Sequence, residues 1–186
     1  MPTSVDLDVR PVTPDQHDAV LRYFDLVAYA DNPAWSRCYC MERLAPDHAE
    51  RTKDQNRASR SELIRSAPAN GLVAYRVGRV VGWCHAAPKR DLLNVPAGSD
   101  DDKVGAVVCF VVAPDSRRQG IATALLGAAL EHLRERGMRS VEAYPLTSEA
   151  EATPQALYVG PRAMYLRAGF ELIREFANFT LVQRTL

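Results

Sequence analysis

Residues 113–126, "APDSRRQGIATALL", follow the apolar run "AVVCFVV" at 106–112 and open a helix-periodic stretch that reaches Gly137. An apolar residue at nearly every position is the pattern of a central strand covered on both faces, and Pro114 ends it. Beyond Gly120, residues Ile121, Ala122, Leu125, Leu126, Ala129, Leu130 and Leu133 recur at helical spacing. Arg134 and Arg136 complement the negative helix end, and Gly137 caps it. The stretch is predicted as a buried strand, a short loop and an amphipathic helix.

That loop is built for an anion. Amide N–H groups of a first helical turn have no intrahelical acceptor, and the macrodipole adds about half a positive charge there. Gly120 lets a ligand approach the backbone closely, while the guanidinium groups of Arg117 and Arg118 can grip phosphate oxygens in pairs. The bland alternative is a solvated loop whose arginines face water. The nucleotide-binding pattern Gly-x-x-x-x-Gly-Lys-Ser/Thr is absent from the chain, as is a dinucleotide fingerprint.

Working outward, "VDLDVRPV" alternates Val5, Leu7 and Val9 with charged neighbours, a half-buried strand, and Pro14 with Asp15 opens a helix through about Ala30. From Ala45 to Ala67 helix formers carry only a narrow apolar face, so this segment is expected on the surface, over a cleft. After Asn70-Gly71, "LVAYRVGRVVGWCHAA" reads as two strands joined at Val77-Gly78-Arg79. The loop "PKRDLLNVPAGSDDDK" exceeds the usual connection length. Beyond the central strand and helix come a strand "SVEAYPL", a short helix around "GPRAMYLRAG", and strands in "FELIREF" and "NFTLVQRTL". An α/β (α+β) fold follows, one domain spanning 1–186 with helices on a β-rich sheet.

Composition excludes several classes. Lysine plus arginine number 23 and aspartate plus glutamate 23, so no basic excess draws nucleic acid or acidic lipid. No apolar run approaches the ~18 residues of a membrane span, and the start has no signal-peptide core. We therefore expect a cytoplasmic protein, with no nucleic-acid or membrane partner. Cys38, Cys40, Cys84 and Cys109 are too irregularly spaced for a disulfide scaffold, and Cys-x-Cys is not the spacing of a structural zinc site, so free thiols and no metal are expected.

With the strand ending Val112-Ala113-Pro114, the motif Arg117-x-x-Gly120-x-Ala122 and, some forty residues on, Tyr165-x-x-x-Gly169-Phe170, the chain resembles the GNAT superfamily of acetyl-CoA-dependent N-acetyltransferases. The stretches "WSRCYCME", "VGWCHAAP" and "VEAYPL" resemble a bacterial branch of it. The resemblance implies a mixed central sheet of about six to seven strands with helices on both faces, and acetyl-CoA as co-substrate. It puts the pyrophosphate on the backbone of Arg117, Arg118, Gln119, Gly120, Ile121 and Ala122, and the pantetheine arm along Phe110, Val111 and Val112. It makes Tyr165 the general acid for the leaving CoA sulfur; the alternative for Tyr165 is a core tyrosine. Many family members carry a glutamate near the start of this strand, where Ala106 stands, and an asparagine where Tyr158 stands.

Amine acetylation requires a neutral amine. An alkyl ammonium of pKa near 10.4 is neutral at pH 7 about once in 2,500 molecules, equivalent to about 4.6 kcal/mol. Glu142, His85 and Tyr144 are the candidate bases on neighbouring strands, Glu142 foremost; each has a structural alternative. Trp35, Trp83 and Tyr39 line an acceptor pocket or the core. Asp100, Asp101 and Asp102 read as a solvated run without a site role. Cys109 has no histidine beside it in the chain to activate it, so direct transfer to a small-molecule or peptide primary amine is expected. The competing class is an acyl-CoA-binding sensor or interaction protein with the same fold. Dimers are common in the family, and the resemblance leaves monomer and homodimer open.

Overall fold

The computed structural model describes residues 7–66, 71–96, 98–148 and 156–186. Val5, Ala67 and Asn70 of the expectations above lie outside them. Strand β1 (Leu7–Pro11) alternates half-buried and exposed residues as its pattern predicts. A single turn at Pro14–Gln16 leads into α1 (His17–Leu26), which stops four residues short of the expected Ala30. The chain then turns through Ala28 N–H to Tyr23 O (2.8 Å) and runs to Asn32-Pro33, where a proline disfavours helix in the residue before it.

Helix α2 (Lys53–Ser66) starts later than Ala45 and packs more deeply than its apolar face predicts. Thr52 and Gln55 set its start by a reciprocal cap, Gln55 N–H to Thr52 Oγ1 (3.2 Å) and Thr52 N–H to Gln55 Oε1 (2.8 Å). Its buried stripe is Asn56, Arg60 and Ile64, spaced by four. Two of the three are polar, and both are hydrogen-bonded: Asn56 Nδ2 donates to Arg37 O (2.7 Å), and Arg60 donates to Tyr39 O (3.0 Å) and Cys40 O (2.8 Å). Burial of such groups is tolerated because these bonds replace water.

Strands β2 (Leu72–Arg76) and β3 (Arg79–Pro88) form the expected hairpin. Val77 and Gly78 both have positive φ (49° and 73°), the two-residue turn whose twist matches the strands. Strand β4 (Val104–Val112), buried except at its last residue, leads to α3 (Ile121–Glu135), which buries Leu125, Leu126, Ala129, Leu130 and Leu133 against the sheet. Each fully buried leucine contributes about 1.5–3 kcal/mol. Strand β5 (Ser140–Ala143), helix α4 (Arg162–Arg167), β6 (Glu171–Glu175) and β7 (Thr180–Thr185) follow.

The sheet has seven strands in the order β1-β2-β3-β4-β5-β7-β6. Only β4 and β5 run parallel among adjacent pairs, which makes the sheet mixed. Packed on one face are α3 and α4 residues Met164 and Tyr165; on the other are α1, α2 and the turns between them. No helix of the described residues is long and apolar enough to cross a membrane.

Candidate active site

Pairing between β4 and β5 covers Val104 to Val107 and stops at Val107↔Ala143. On its other side β4 stays paired with β3 to Val112, with a bulge: Val107 faces Ala86 and Cys109 faces His85, which leaves Val108 as the extra residue. A bulge at the end of a pairing re-aims the strand, and here the two parallel strands part. Residues 108–112 are thus unpaired with β5. Ala113 N–H donates to Val81 O (2.9 Å), so strand alternation turns the peptide groups of Val112 and Phe110 away from β3, toward the open side.

The free edge runs into the helix start. Gly120 stands before α3 at φ 80° and ψ 0°, a left-handed conformation that a side chain strains by about 1–2 kcal/mol. The first-turn amides of Ile121, Ala122 and the residue after them point along the helix axis without intrahelical acceptors. Arg118 is exposed, whereas Arg117 is not free as expected: it grips Asp31 with both terminal nitrogens (2.5 and 3.1 Å), and its Nε donates to Val112 O (3.2 Å). This fork ties the loop to the turn after α1. Gln119 bonds Asp115 O (3.0 Å) and accepts from Arg76.

Beside the free edge opens a cleft of about 640 Å³, its solvent-filled mouth included. Val108 to Val112 and Arg117 form one wall. Trp35, Tyr29 and Tyr158 supply aromatic surface, with Trp35 and Tyr158 packed edge to face at 5.7 Å. Tyr158 is held protonated: burial pushes its phenol up to about 12. Trp83 and Tyr39 belong to the core instead, where Trp83 packs on Phe24 and Tyr39 donates to Asp25 (2.5 Å).

Cys38, Cys40, Cys109 and His85 also line the cleft, and Cys40 Sγ lies 3.4 Å from His85 Nδ1. Burial pushes the Cys40 thiol up, but a hydrogen bond from Cys109 and the nearness of His85 and Arg60 outweigh it and hold Cys40 well below an ordinary thiol. The other three go the opposite way. Burial raises Cys38 to about 11 and raises Cys84, while Cys109 is raised by its bond to Cys40 and by burial. Among the described residues no group of three or more His, Cys, Asp or Glu is arranged to hold a metal ion.

Two expected catalytic residues stand elsewhere. Glu142, 1 % exposed, is not among the cleft residues; its carboxylate accepts from Lys89 Nζ (2.8 Å), Ser99 N–H (2.7 Å) and Tyr144 OH (2.8 Å). A Cβ on Gly98 would lie 2.2 Å from Glu142 Oε2, so only glycine lets the long loop close on it. This site pins that loop to β5, and it occupies Tyr144 as well. Tyr165 is fully buried, held protonated by burial, and donates to Val159 O (2.5 Å); neither residue lines the cleft. It anchors the segment that carries Tyr158. Sequence reasoning passed over Glu42 and Arg43, which line the cleft as an ion pair (3.5 Å), and Arg60, which braces Cys40 from behind. Nothing in their local sequence marks them; the fold brings them in from a turn and from a polar helix.

Residues 33–170 match a family model described as the acetyltransferase (GNAT) family. Mycothiol acetyltransferase of Cellulomonas flavigena is 31% identical over 146 residues, 77% of this chain but 40% of that protein, so the chain spans about two fifths of this relative's length. Among solved structures, the paia N-acetyltransferase from Thermoplasma acidophilum in complex with coenzyme A superposes with a TM-score of 0.59 at 11% identity, covering 97% of this chain and 99% of the other. Ribosomal-protein-alanine N-acetyltransferase from Brucella melitensis gives 0.56 at 20% identity, covering 96% and 99%. At these identities the likeness is one of fold.

Proposed function

Because the chain belongs to the acetyltransferase (GNAT) family, we propose that it transfers the acetyl group of acetyl-CoA to a primary amine. One observation carries this reading: the free edge of β4 leads without interruption from the cleft to the left-handed Gly120 and the first-turn amides of α3. An extended pantetheine arm would pair with the outward peptide groups of Phe110 and Val112, and its pyrophosphate would rest on the loop amides and the helix dipole, with Arg118 adding charge. Val112 O already serves Arg117, so the cofactor would compete with that bond or use the N–H.

The lining of the cleft also suits an ammonium. Glu42 offers a carboxylate, and Trp35, Tyr29 and Tyr158 offer aromatic faces that attract cations. Such a site concentrates the amine but still leaves its surplus proton to be removed, the cost of about 4.6 kcal/mol noted above. Groups in the cleft able to take it are His85 and Glu42.

The test is calorimetric titration with acetyl-CoA, with CoA and inorganic phosphate as controls, followed by thiol release across amine classes. Saturable acetyl-CoA binding with amine-dependent release is expected. Absence of acetyl-CoA binding overturns the reading; binding without release from any amine favours a sensor.

A further inference from the structure

Direct transfer was expected because no histidine stands beside Cys109 in the chain. The fold supplies one, since residues 40 and 85 meet at 3.4 Å, and Cys109, the register partner of His85, completes the group. All three line the cleft at the bulge where the free edge of β4 begins. We propose that Cys40, activated by His85, takes the acetyl group from acetyl-CoA and holds it as a thioester until the amine arrives. The proposal rests on the cleft being the acetyl-CoA site.

Three features single out Cys40. The first is the imidazole: His85 is fully buried, its Nε2 has no hydrogen-bond partner among the described residues, and Cys40 is the polar partner of its Nδ1. A thiol and an imidazole in this contact form the nucleophile–base arrangement. The second is the charge of Arg60. This guanidinium is 1 % exposed and meets two carbonyls and the face of Trp83, so a nearby anion is favoured. A Cys40 thiolate, once formed, provides it. The third is the backbone, because Tyr39 and Cys40 both have positive φ (45° and 55°). Each such residue costs on the order of 1–3 kcal/mol and persists where its surroundings over-determine it. Here Arg60 clamps both carbonyls. The strain aims one thiol at one imidazole.

The chemistry balances without an added reagent. The Sγ proton passes to His85 Nδ1 and Sγ attacks the acetyl carbon; the carbon–sulfur bond to CoA breaks, and the departing sulfur takes the proton from His85. One thioester replaces another, so the acetyl group keeps its transfer potential. A neutral amine then attacks the Cys40 thioester, the amide forms, the electron pair returns to Sγ, and the surplus amine proton goes to His85. This restores the starting thiol and imidazole.

The test uses the full chain with acetyl-CoA and no amine, quenched in acid and analysed by peptide mass spectrometry, with acetyl-CoA binding measured in parallel. An acetyl group on Cys40, formed as CoA is released and removed by neutral hydroxylamine as a thioester is, supports the proposal. Binding of acetyl-CoA with Cys40 unacetylated overturns it and leaves the acetyltransferase reading standing. No binding overturns both. Iodoacetamide provides a second readout independent of acetyl-CoA. Within electrostatic reach of Cys40 are His85 and Cys84 from β3, Cys109 from β4, Arg60 from α2, Tyr29 and His48 from turns on either side, and Cys38 from its own turn. An ordinary thiol of pKa about 8.5 is about 1 % ionised at pH 6.5 and so loses roughly a hundredfold in alkylation rate. Cys40 is expected to keep most of its rate at pH 6.5, and His85→Asn to restore the ordinary decline. An ordinary decline in the wild type overturns the proposal.

Discussion

Replacing Glu142 by glutamine separates a structural carboxylate from a catalytic one. Its two oxygens receive three donors: Ser99 N–H on Oε1, and both Lys89 Nζ and Tyr144 OH on Oε2. Glutamine offers one acceptor oxygen and one NH₂ group, so it can serve Ser99 or the Lys89–Tyr144 pair, and the other side meets donor against donor. Breaking a buried ion pair by removing one partner costs about 3–5 kcal/mol. Lys89 is 15% exposed and keeps Ser99 O at 2.9 Å, which places Glu142→Gln near the lower figure, about 3 kcal/mol. For a chain of this size that lowers Tm by roughly 6–12 °C. Denaturant unfolding and thermal melting measure the loss, and transfer rates corrected for folded fraction measure the chemistry. The expected result is lower stability with transfer per folded molecule within about threefold of wild type. Unchanged stability, or retained stability with transfer collapsed, refutes the structural assignment and returns Glu142 to the reaction as a base.

At Gly120 a Cβ would meet nothing within 4 Å among the described residues, so Gly120→Ala tests backbone strain and Gly120→Glu adds charge. A carboxylate about 4 Å from a phosphate costs on the order of 4 kcal/mol at a partly shielded site, so calorimetry should show Gly120→Glu losing CoA affinity more than ~100-fold while Gly120→Ala loses far less; equal affinities would remove the loop from the cofactor site. Tyr165→Phe leaves Val159 O without its donor and should cost about 1–3 kcal/mol in unfolding free energy, with transfer per folded molecule within tenfold; a fall of about 10²–10⁴ with acetyl-CoA binding intact would restore the general-acid role. The Asp25 carboxyl is held below its ordinary value mainly by hydrogen bonds from Arg57, against partial burial and with Tyr39 assisting. A lowered folded value means stability fully present above the unfolded pKa of about 3.9 and lost as pH falls through the folded one. The Tm gap between wild type and Asp25→Asn should therefore be constant near neutrality and close below about pH 4; a gap that persists into acid would show that the ion pair is not its source.

How much of this was legible depended on the range of the interaction. Strand β4, the loop and α3 were readable because an all-apolar run and a helical repeat are local patterns, and the hairpin was readable because Val77-Gly78 sits between two such strands. The start of α2 was set by the Thr52–Gln55 cap, which is also local but weaker than the flanking helix-forming residues, whereas α1 ends at Leu26, where Ala28 N–H turns back to Tyr23 O with no marking residue in the sequence. Glu142 attracted a catalytic reading because a carboxylate on a central strand invites one. Its three donors come from Ser99 and Lys89, some forty to fifty positions away, and from Tyr144 two residues on, and none of these bonds has a sequence signature.

The cysteine cluster reveals a more general reason. In α2 hydropathy assigns Asn56 and Arg60 to solvent, yet the preceding turn bends with two positive-φ residues and directs the carbonyls of Tyr39 and Cys40 inward. Inward carbonyls need buried donors, so the polar stripe of the helix becomes the buried one. Burying Arg60 then places a positive charge beside Cys40, and the pairing of β3 with β4 brings His85 to its other side. One backbone distortion in the segment "CYC" thus goes with the buried polar face of α2 and with the one of four thiols held well below an ordinary value. Hydropathy, which scores side chains, has no term for a carbonyl's direction. A nucleophile built this way is invisible to sequence pattern and is exposed by the chemical test: alkylation that is insensitive to pH at Cys40 alone, among four cysteines of one chain.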